Sequence, residues 1–194
     1  MTRIKKFLRQ ASLLLPLLGM TPSSLQAVEV AGVKVEDRLT AQGATLQLNG
    51  AGLRTKMFFK VYVAALYVTK PSTSSRQLLE APEPSRMVLQ MLRDVDADTL
   101  FNSLRDGLRA NVPEAELVTL QAGVDQLGAL MATIGQARSG DTIVLDLDME
   151  KVVVSHNGEV RGQVAAPRLG RALLSIWLGE HPVDDSLKKA LLRG

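Results

Sequence analysis

The polar side chains best placed to do chemistry lie in and beside one apolar stretch of the chain. Arg54 follows two closely spaced glycines, and Lys60 and Tyr62 lie within the run from Met57 to Val68. That run is rich in β-branched and aromatic residues and contains no Gly or Pro, which predicts a long strand. Both of its alternating faces are mostly apolar, so we expect a central strand that is covered on both sides.

These three polar residues form the candidate binding site. Side chains alternate along a strand, so Lys60 and Tyr62 share one face, and Arg54 precedes them just after a glycine-containing turn predicted at residues 49–52. A cation on a covered face is stable only with a partner. The partner is either a protein carboxylate, which makes the cation structural, or an anionic ligand, which makes it a binding residue. The two glycines fit either a close approach of ligand or the positive φ of a turn.

Other residue types argue against most catalytic and metal chemistry. The sequence has no nucleophile elbow, phosphate-binding glycine loop or dinucleotide fingerprint. Its two histidines, His156 and His181, are far apart and predict neither a triad nor a metal site. Asp146, Asp148 and Glu150 offer oxygen ligands that suit calcium, but their alternation is typical of the solvent-facing side of one strand, which we favour. Without cysteine there is no disulfide, thiolate ligand or thiol nucleophile. We expect no metal and no cofactor.

The first 27 residues have the composition of a secretory signal peptide. A basic start is followed by an apolar section over residues 11–20 and a small, polar stretch that ends at Ala27. The apolar section is too short to span a bilayer comfortably. We therefore expect a signal peptide over residues 1–27 and one domain over residues 28–194, with a retained membrane anchor as the alternative. The signal peptide predicts a periplasmic or secreted protein without stable membrane insertion after cleavage.

The basic charge of the whole chain belongs to this leader. Four of the 23 basic residues and none of the 20 acidic residues lie in residues 1–27, so the remainder carries 19 basic and 20 acidic residues. A nucleic-acid-binding protein needs clustered basic residues on one face, and the remainder shows no such excess. We expect no nucleic-acid partner, and the sequence identifies no protein partner.

The remaining segments predict the elements that must position the candidate site. The predicted strands are residues 28–35 with a turn at 31–32, 44–49, 86–92, 141–150, and a hairpin of 152–156 with 160–164 around Asn157-Gly158. The predicted helices are one starting at Asp96 or Asp98, one from Pro113 to Gly135, and one from Pro167 to Leu178, with a short turn or helix at 76–79. Trp177 falls on the apolar stripe of the last helix, which favours a core position over a pocket wall. This order of elements predicts an α+β domain, with helices on a large antiparallel sheet.

Several of these motifs together resemble the chalcone isomerase family, in particular the bacterial exported chalcone isomerase-like proteins. The motifs are Gly50-Ala51-Gly52-Leu53-Arg54, the run at residues 60–68, Gly140-Asp141, Asn157-Gly158 and residues 173–179. The resemblance extends over residues 28–192. It implies an open-faced sandwich in which a large antiparallel β-sheet is covered by a layer of α-helices.

The resemblance also implies an activity that this sequence supports poorly. True isomerases of the family cyclise a chalcone without a cofactor, with an arginine that favours the ionised nucleophile and hydroxyl groups that polarise the ketone. Arg54 matches that arginine, and Tyr62 occupies the position of a threonine. Where the isomerases have a tyrosine and, seven residues later, an asparagine, this chain has Leu100 and Gly107. A different register offers Asn102 but no tyrosine. Because one oxyanion donor contributes about 3–4 kcal/mol, we expect efficient chalcone cyclisation to be absent.

The fatty-acid-binding branch of the same family implies a better match. There an arginine and a neighbouring hydroxyl hold a carboxylate, and the acyl chain lies in the apolar interior. Our leading hypothesis is a non-catalytic binder of a small amphipathic carboxylate, such as a fatty acid or a phenolic acid. Arg54 would anchor the head group, Tyr62 would assist and Lys60 would add charge.

Two alternatives from other classes stay open at this point. One is a cofactor-free isomerase acting on a chalcone-like phenolic or enone substrate, with Arg54 and Tyr62 as catalytic residues. The other is a periplasmic protein-interaction module with a closed cleft, in which an internal carboxylate satisfies Arg54.

Overall fold

The computed structural model describes residues 27–193. The predicted signal peptide lies outside this range except for Ala27, so it and the predicted export stay predictions. The strands are β1 (Ala27–Val30), β2 (Val33–Glu36), β3 (Arg38–Ala41), β4 (Ala44–Lys56), β5 (Phe59–Val68), β6 (Ser85–Met91), β7 (Val95–Asp96), β8 (Gln136–Ala137), β9 (Thr142–Leu147), β10 (Lys151–His156) and β11 (Glu159–Ala165). The helices are α1 (Ser75–Glu80), α2 (Ala97–Asn111), α3 (Glu114–Ala132), α4 (Leu169–Leu178) and α5 (Asp185–Leu191).

A seven-stranded antiparallel sheet forms the centre of the described chain, in the order β11-β10-β9-β6-β5-β4-β3. As predicted, β5 is an interior strand covered on both faces. Tyr62, Ala64 and Leu66 face a core shared with the helices, while Val63 and Ala65 face a second core shared with β2 and β3. The predicted α+β class and open-faced sandwich are confirmed, with the helices layered on one face of the sheet.

The helix layer forms where the sequence places apolar residues at helical spacing. Leu100, Leu104 and Leu108 of α2 are buried in the core beneath α4, as a stripe at four-residue spacing predicts. Helix α2 starts after Asp96, as predicted, whereas α3 starts at Glu114, one residue later than predicted, with Pro113 as its N-cap. Among the described residues no helix is both long and apolar enough to cross a membrane.

The turn predicted at residues 49–52 is wrong. These residues lie inside β4, and the chain turns instead at Met57-Phe58, where Met57 has φ 57°. Neither Gly50 nor Gly52 has a positive φ. They are glycines because α5 lies directly on them: a Cβ at Gly50 would meet the backbone carbonyl of Ala190, and one at Gly52 would lie 2.6 Å from the Cβ of Ala190.

Helix α5, which the sequence did not predict, is fixed to β4 by a buried amide. Asn49 is 2% exposed, and its Nδ2 donates to the carbonyls of Leu191 at 2.6 Å and Ser72 at 3.1 Å. Its Oδ1 accepts from the Ser72 N–H at 2.7 Å. At the start of the helix, the Asp184 carboxylate accepts from the N–H of Leu187 at 3.0 Å. The helix therefore covers Gly50 and Gly52 of β4.

The acidic strand at residues 141–150 also differs from its prediction. Asp146 is not solvent-facing; it is 7% exposed and forms two 2.7 Å hydrogen bonds with Arg86 directly across on β6. Asp148 accepts from the N–H groups of Glu150 and Lys151 and so closes the turn between β9 and β10. No group of three or more His, Cys, Asp or Glu side chains within residues 27–193 is arranged to hold a metal ion.

Candidate functional site

A bulge at the end of the β4–β5 hairpin sets which side chains face the candidate site. Arg54 pairs with Tyr62 and Thr55 pairs with Lys60, which leaves Val61 as the extra residue. A bulge interrupts alternation, so Val61 and Tyr62 both line the same cleft. Lys60 is instead exposed and does not line the cleft. The expectation that Lys60 shares the covered face of Tyr62 is therefore wrong.

The cleft lies between the β4–β5 end of the sheet, the segment around β7, and the first turns of α2. Its volume is about 310 Å³, at the lower end of the range of ligand pockets. Its lining combines apolar side chains with a few polar and charged ones. The lining residues are Arg54, Lys56, Met57, Phe59, Val61, Tyr62, Arg93, Asp94, Val95, Asp96, Thr99, Leu100, Ser103 and Gln136.

Arg54 of this cleft forms no hydrogen bond or ion pair with a side chain or carbonyl within residues 27–193. Nη1 of Arg54 is buried, and it forms no hydrogen bond with the described part of the chain. No carboxylate oxygen within residues 27–193 lies within 4.0 Å of the Arg54 guanidinium. Asp184 is instead occupied by the backbone N–H of Thr55 at 3.1 Å and by its capping bond. The structure thus gives no support to an internal ion pair at Arg54.

Tyr62 contributes its ring to the cleft and its hydroxyl to the core. The Arg54 Cζ lies 5.8 Å from the centre of the Tyr62 ring. The Tyr62 hydroxyl accepts a 3.1 Å hydrogen bond from Nε1–H of Trp177, which is 1% exposed and so lies in the core, as predicted. Burial raises the pKa of Tyr62 to about 12, although Arg54 and the Trp177 bond oppose the shift. Tyr62 is therefore a neutral hydroxyl at neutral pH.

Sequence reasoning missed most of the polar residues of the cleft. Thr99 and Ser103 lie one helical turn apart on α2, beside its apolar stripe, and this spacing is the signal that could have identified them. Lys56 and Arg93 add two further cations, and the Arg93 Cζ lies 4.6 Å from the ring centre of Phe59. The cleft therefore offers three cations and two helix hydroxyls.

The positions that the resemblance aligns with the tyrosine and asparagine of the isomerases lie in different parts of the structure. Leu100 lines the cleft, but Gly107 lies at the crossing of α2 and α4, where a Cβ would come within 2.7 Å of Ile176. Asn102 is exposed and outside the cleft lining. The cleft thus has Leu100 where the isomerases have that tyrosine, and both candidate positions for their asparagine lie outside the cleft.

The apolar interior beneath the cleft is nearly filled. A void of about 30 Å³, close to the volume of one water molecule, shares Tyr62, Leu100 and Ser103 with the cleft. Its other lining residues are apolar, among them Leu104 and Met131. Space for a ligand therefore lies mainly in the outer cleft.

The two carboxylates of the cleft are held by neighbours. The Asp94 carboxylate accepts from the Ser139 N–H at 2.8 Å, and the Asp96 carboxylate accepts from Nε2 of Gln136 at 3.4 Å. Because the unpartnered group is a guanidinium, the chemistry that this site offers is recognition of an anion next to an apolar wall.

The fold and the cleft are those of an open-faced sandwich with a cationic pocket at one end of its sheet. The chain matches the family described as chalcone isomerase-like over residues 27–193. It therefore belongs to the chalcone isomerase-like family, as its motifs indicated.

A solved structure supports the same fold. The crystal structure of a fatty-acid binding protein from Arabidopsis thaliana matches with a TM-score of 0.69 at 17% sequence identity, covering 86% of this chain and 96% of that one. At this identity the likeness establishes the fold. A search of curated proteins gave no match to this sequence.

Proposed function

We propose that this protein binds a small amphipathic carboxylate, such as a fatty acid or a phenolic acid, without catalysing a reaction on it. The observation that carries the proposal is the buried, unpartnered Nη1 of Arg54 at the side of an apolar-walled cleft. A buried donor without an acceptor is costly, and a carboxylate would supply the missing acceptor through two parallel hydrogen bonds.

The remaining cleft residues suit an amphipathic molecule. Thr99 and Ser103 offer hydroxyl donors to a head group, while Val61, Leu100 and the Tyr62 ring offer apolar contacts to a tail. Lys56 and Arg93 would attract an anion to the mouth of the cleft. Lys60, which is exposed, would contribute only through its charge.

The size of the cleft favours a short or medium tail. A volume of about 310 Å³ accommodates a head group and a short apolar tail. A longer tail would have to displace Leu100 or Leu104 to enter the small void below.

The family also supports a ligand of this class. The Arabidopsis protein of the same fold is described as a fatty-acid binding protein. With export from the predicted signal peptide, binding would take place in the periplasm or outside the cell.

The test is a titration of the chain from Ala27 with saturated carboxylic acids of increasing length. We expect affinity to rise by about 0.8 kcal/mol for each methylene that the cleft buries and to level off once the cleft is filled. Arg54→Ala should weaken binding by roughly tenfold to a hundredfold, because a hydrogen bond to a charged group contributes about 1.5–3 kcal/mol. Methyl esters of the same acids should bind as weakly to the unmodified protein as the acids bind to Arg54→Ala.

A second arginine provides the matched control. Nε of Arg105 is also buried without a partner, but Arg105 lines a different cavity, of about 440 Å³, between α2 and α3. Arg105→Ala should leave carboxylate affinity unchanged. Equal losses from both variants, or equal affinity for acids and esters, would contradict a head-group site at Arg54.

One observation keeps the isomerase alternative worth a direct assay. Thr99 and Ser103 provide hydroxyls in the cleft that Arg54 lines, and hydroxyls can polarise a ketone. If the protein is an isomerase, loss of chalcone absorbance should be faster than the spontaneous rate and should slow in both Arg54→Ala and Ser103→Ala. Turnover at the spontaneous rate would leave binding as the function.

A further inference from the structure

The turn between β4 and β5 presents large apolar side chains to solvent. The 56–60 tip consists of Lys56, Met57, Phe58, Phe59 and Lys60. Met57 is 81% exposed, Phe58 is 94% exposed and Phe59 is 57% exposed. Exposed apolar patches of this kind mark surfaces that contact a partner. Among the described residues, Arg93 partly covers the Phe59 ring, whereas Met57 and Phe58 are largely open to solvent.

The turn at the tip differs from the other two-residue turns in its second residue, which is Phe58 and not glycine. The two-residue turns at Ala31-Gly32, Gln42-Gly43 and Asn157-Gly158 each have positive φ at both positions and glycine at the second. The turn at Met57-Phe58 has no glycine, yet Met57 has φ 57°. Positive φ strains a non-glycine residue, and strain of this kind is usually retained for a function. The tip thus has one residue at positive φ, Met57, where glycine would be favourable, followed by the exposed Phe58.

The charges of the tip and of the strand residues next to it are positive. Residues 54–60 contain three basic residues and no acidic one, and Arg93 lies over the ring of Phe59. Two carboxylates at this end of the sheet, Asp94 and Asp184, are each bonded to backbone N–H groups. Apolar residues flanked by lysines suit a surface that is negatively charged outside and apolar within.

We propose that the 56–60 tip docks on the surface of an anionic lipid bilayer, with Phe58 inserted and Lys56 and Lys60 beside the lipid head groups. Lys and Arg side chains near an anionic membrane surface are attracted to it, and aromatic side chains favour the interface. The proposal does not depend on which molecule the cleft binds. Because Lys56, Met57 and Phe59 also line the cleft, docking would place the cleft mouth at the lipid surface.

The area of the tip argues against a protein partner of the usual size. Three large side chains offer roughly 150–250 Å² each and so at most about 750 Å² together, whereas a stable protein interface buries about 800 Å² on each partner. A bilayer needs no matching surface, because it admits a narrow wedge. The tip is therefore the right size for lipid insertion and too small for a stable dimer.

Vesicle flotation tests the proposal with the chain from Ala27, which contains every described residue of both hydrophobic cores. We expect binding to phosphatidylcholine vesicles that contain phosphatidylglycerol, and little binding to phosphatidylcholine alone. Phe58→Ser should lower the partition coefficient by at least about tenfold. Replacing both Lys56 and Lys60 by Glu should lower it by more than about fivefold for each position.

A control and a gain-of-stability variant make the test specific. Val160→Ser alters a side chain that is 68% exposed on β11 and should leave vesicle binding unchanged. Met57→Gly should raise the melting temperature, because it relieves the positive φ, and should weaken vesicle binding. A Phe58→Trp variant should show a blue shift of its tryptophan emission only with the anionic vesicles. Trp177 is already buried, so its emission should not change and the shift reports on position 58.

Three results would overturn the proposal. They are absence of binding to anionic vesicles, equal losses from Phe58→Ser and Val160→Ser, and a change of sedimentation coefficient in Phe58→Ser without a change in vesicle binding. The last result would identify the tip as a contact between copies of the chain.

Discussion

The indole Nε1–H of Trp177 on α4 donates a 3.1 Å hydrogen bond to the hydroxyl of Tyr62 on β5. Both side chains are buried, and the Tyr62 ring borders the cleft next to Arg54. The bond thus links the helix layer to the wall of the candidate site. It also gives a buried hydroxyl and a buried indole N–H their hydrogen-bonding partners.

Removing either partner of this bond should destabilise the protein, and removing both should cost less than the sum. Tyr62→Phe leaves the Trp177 N–H without an acceptor, for which we expect a loss of about 1–3 kcal/mol. Trp177→Phe should cost more, because it also removes buried volume. The double variant should show a coupling of about 0.5–1.5 kcal/mol in urea unfolding. Strict additivity would mean that the bond does not form in solution.

The close contact between β4 and α5 predicts a rescue experiment. An alanine at Gly52 would place its Cβ 2.6 Å from the Cβ of Ala190, so Gly52→Ala should destabilise the protein by about 1–3 kcal/mol. In an Ala190→Gly background the same change should cost less, as measured by thermal unfolding. Gly50→Ala is the control, because its Cβ would meet backbone atoms of Ala190 and Leu191 that Ala190→Gly leaves in place. Equal relief at both glycines would contradict this packing.

Two arginines in different environments should respond differently to alanine. Arg86 forms two 2.7 Å hydrogen bonds with the buried Asp146, so Arg86→Ala should lower the free energy of unfolding by about 3 kcal/mol or more. Arg54 has no such partner, so Arg54→Ala should change it by less than about 1 kcal/mol. Urea unfolding of the two variants measures both. A large loss in Arg54→Ala would indicate an internal partner and would undermine the proposed head-group site.

The carboxylate of Asp141 should make stability fall in acid. The backbone N–H of Arg138 is the main cause that lowers the pKa of Asp141 from 3.8 to about 2, with smaller contributions from hydrogen bonds to Asn157 and His156. A lowered pKa in the folded state means that the stabilisation is present above about pH 4 and is lost as the pH falls toward 2.

Asp141→Asn should therefore flatten the dependence of the urea midpoint on pH in this window. Asp106→Asn, on the exposed face of α2, is the matched control and should retain the slope of the unmodified protein. If both variants keep that slope, the acid sensitivity arises elsewhere.

The elements with strong local signals were predictable from the sequence. The hairpin at Asn157-Gly158 has positive φ at both residues, as that dipeptide predicts, and Pro113 precedes α3. The sheet with its helix layer followed from the periodicity of these segments. Here the local preference of the chain and its final fold agree.

The failures arise where a distant segment decides the local structure. Gly50 and Gly52 resemble a turn, but they are small because α5 lies on them from far along the chain. Asp146 alternates like a solvent-facing residue, but Arg86 across the strand pair holds it in place. These partners are set by strand register and helix packing, which a single sequence does not reveal.

The candidate site was predictable only in part for a similar reason. Arg54 and Tyr62 were identified from the sequence, and the structure places them directly across a strand pair. Lys60 was assigned to the wrong face because the bulge at Val61 shifts the alternation, and a bulge has no strong sequence signal here. Thr99 and Ser103 reach the cleft only through the way α2 crosses the end of the sheet.

The hydrogen bond from Asn49 to the carbonyl of Leu191 has a consequence for the order of folding. The two residues are 142 positions apart, so their hydrogen bond closes a very long loop, and its entropy must be lost before the contact contributes. We therefore expect the contact of α5 with β4 to form late in refolding, after the β-hairpins, so that pulse-labelled amides of α5 become protected after those of β10 and β11. Earlier protection of α5 would argue against this order. Until that contact forms, the backbone of β4 at Gly50 and Gly52 is exposed to solvent. The rate at which α5 packs on it would set how long a newly made chain stays vulnerable to aggregation.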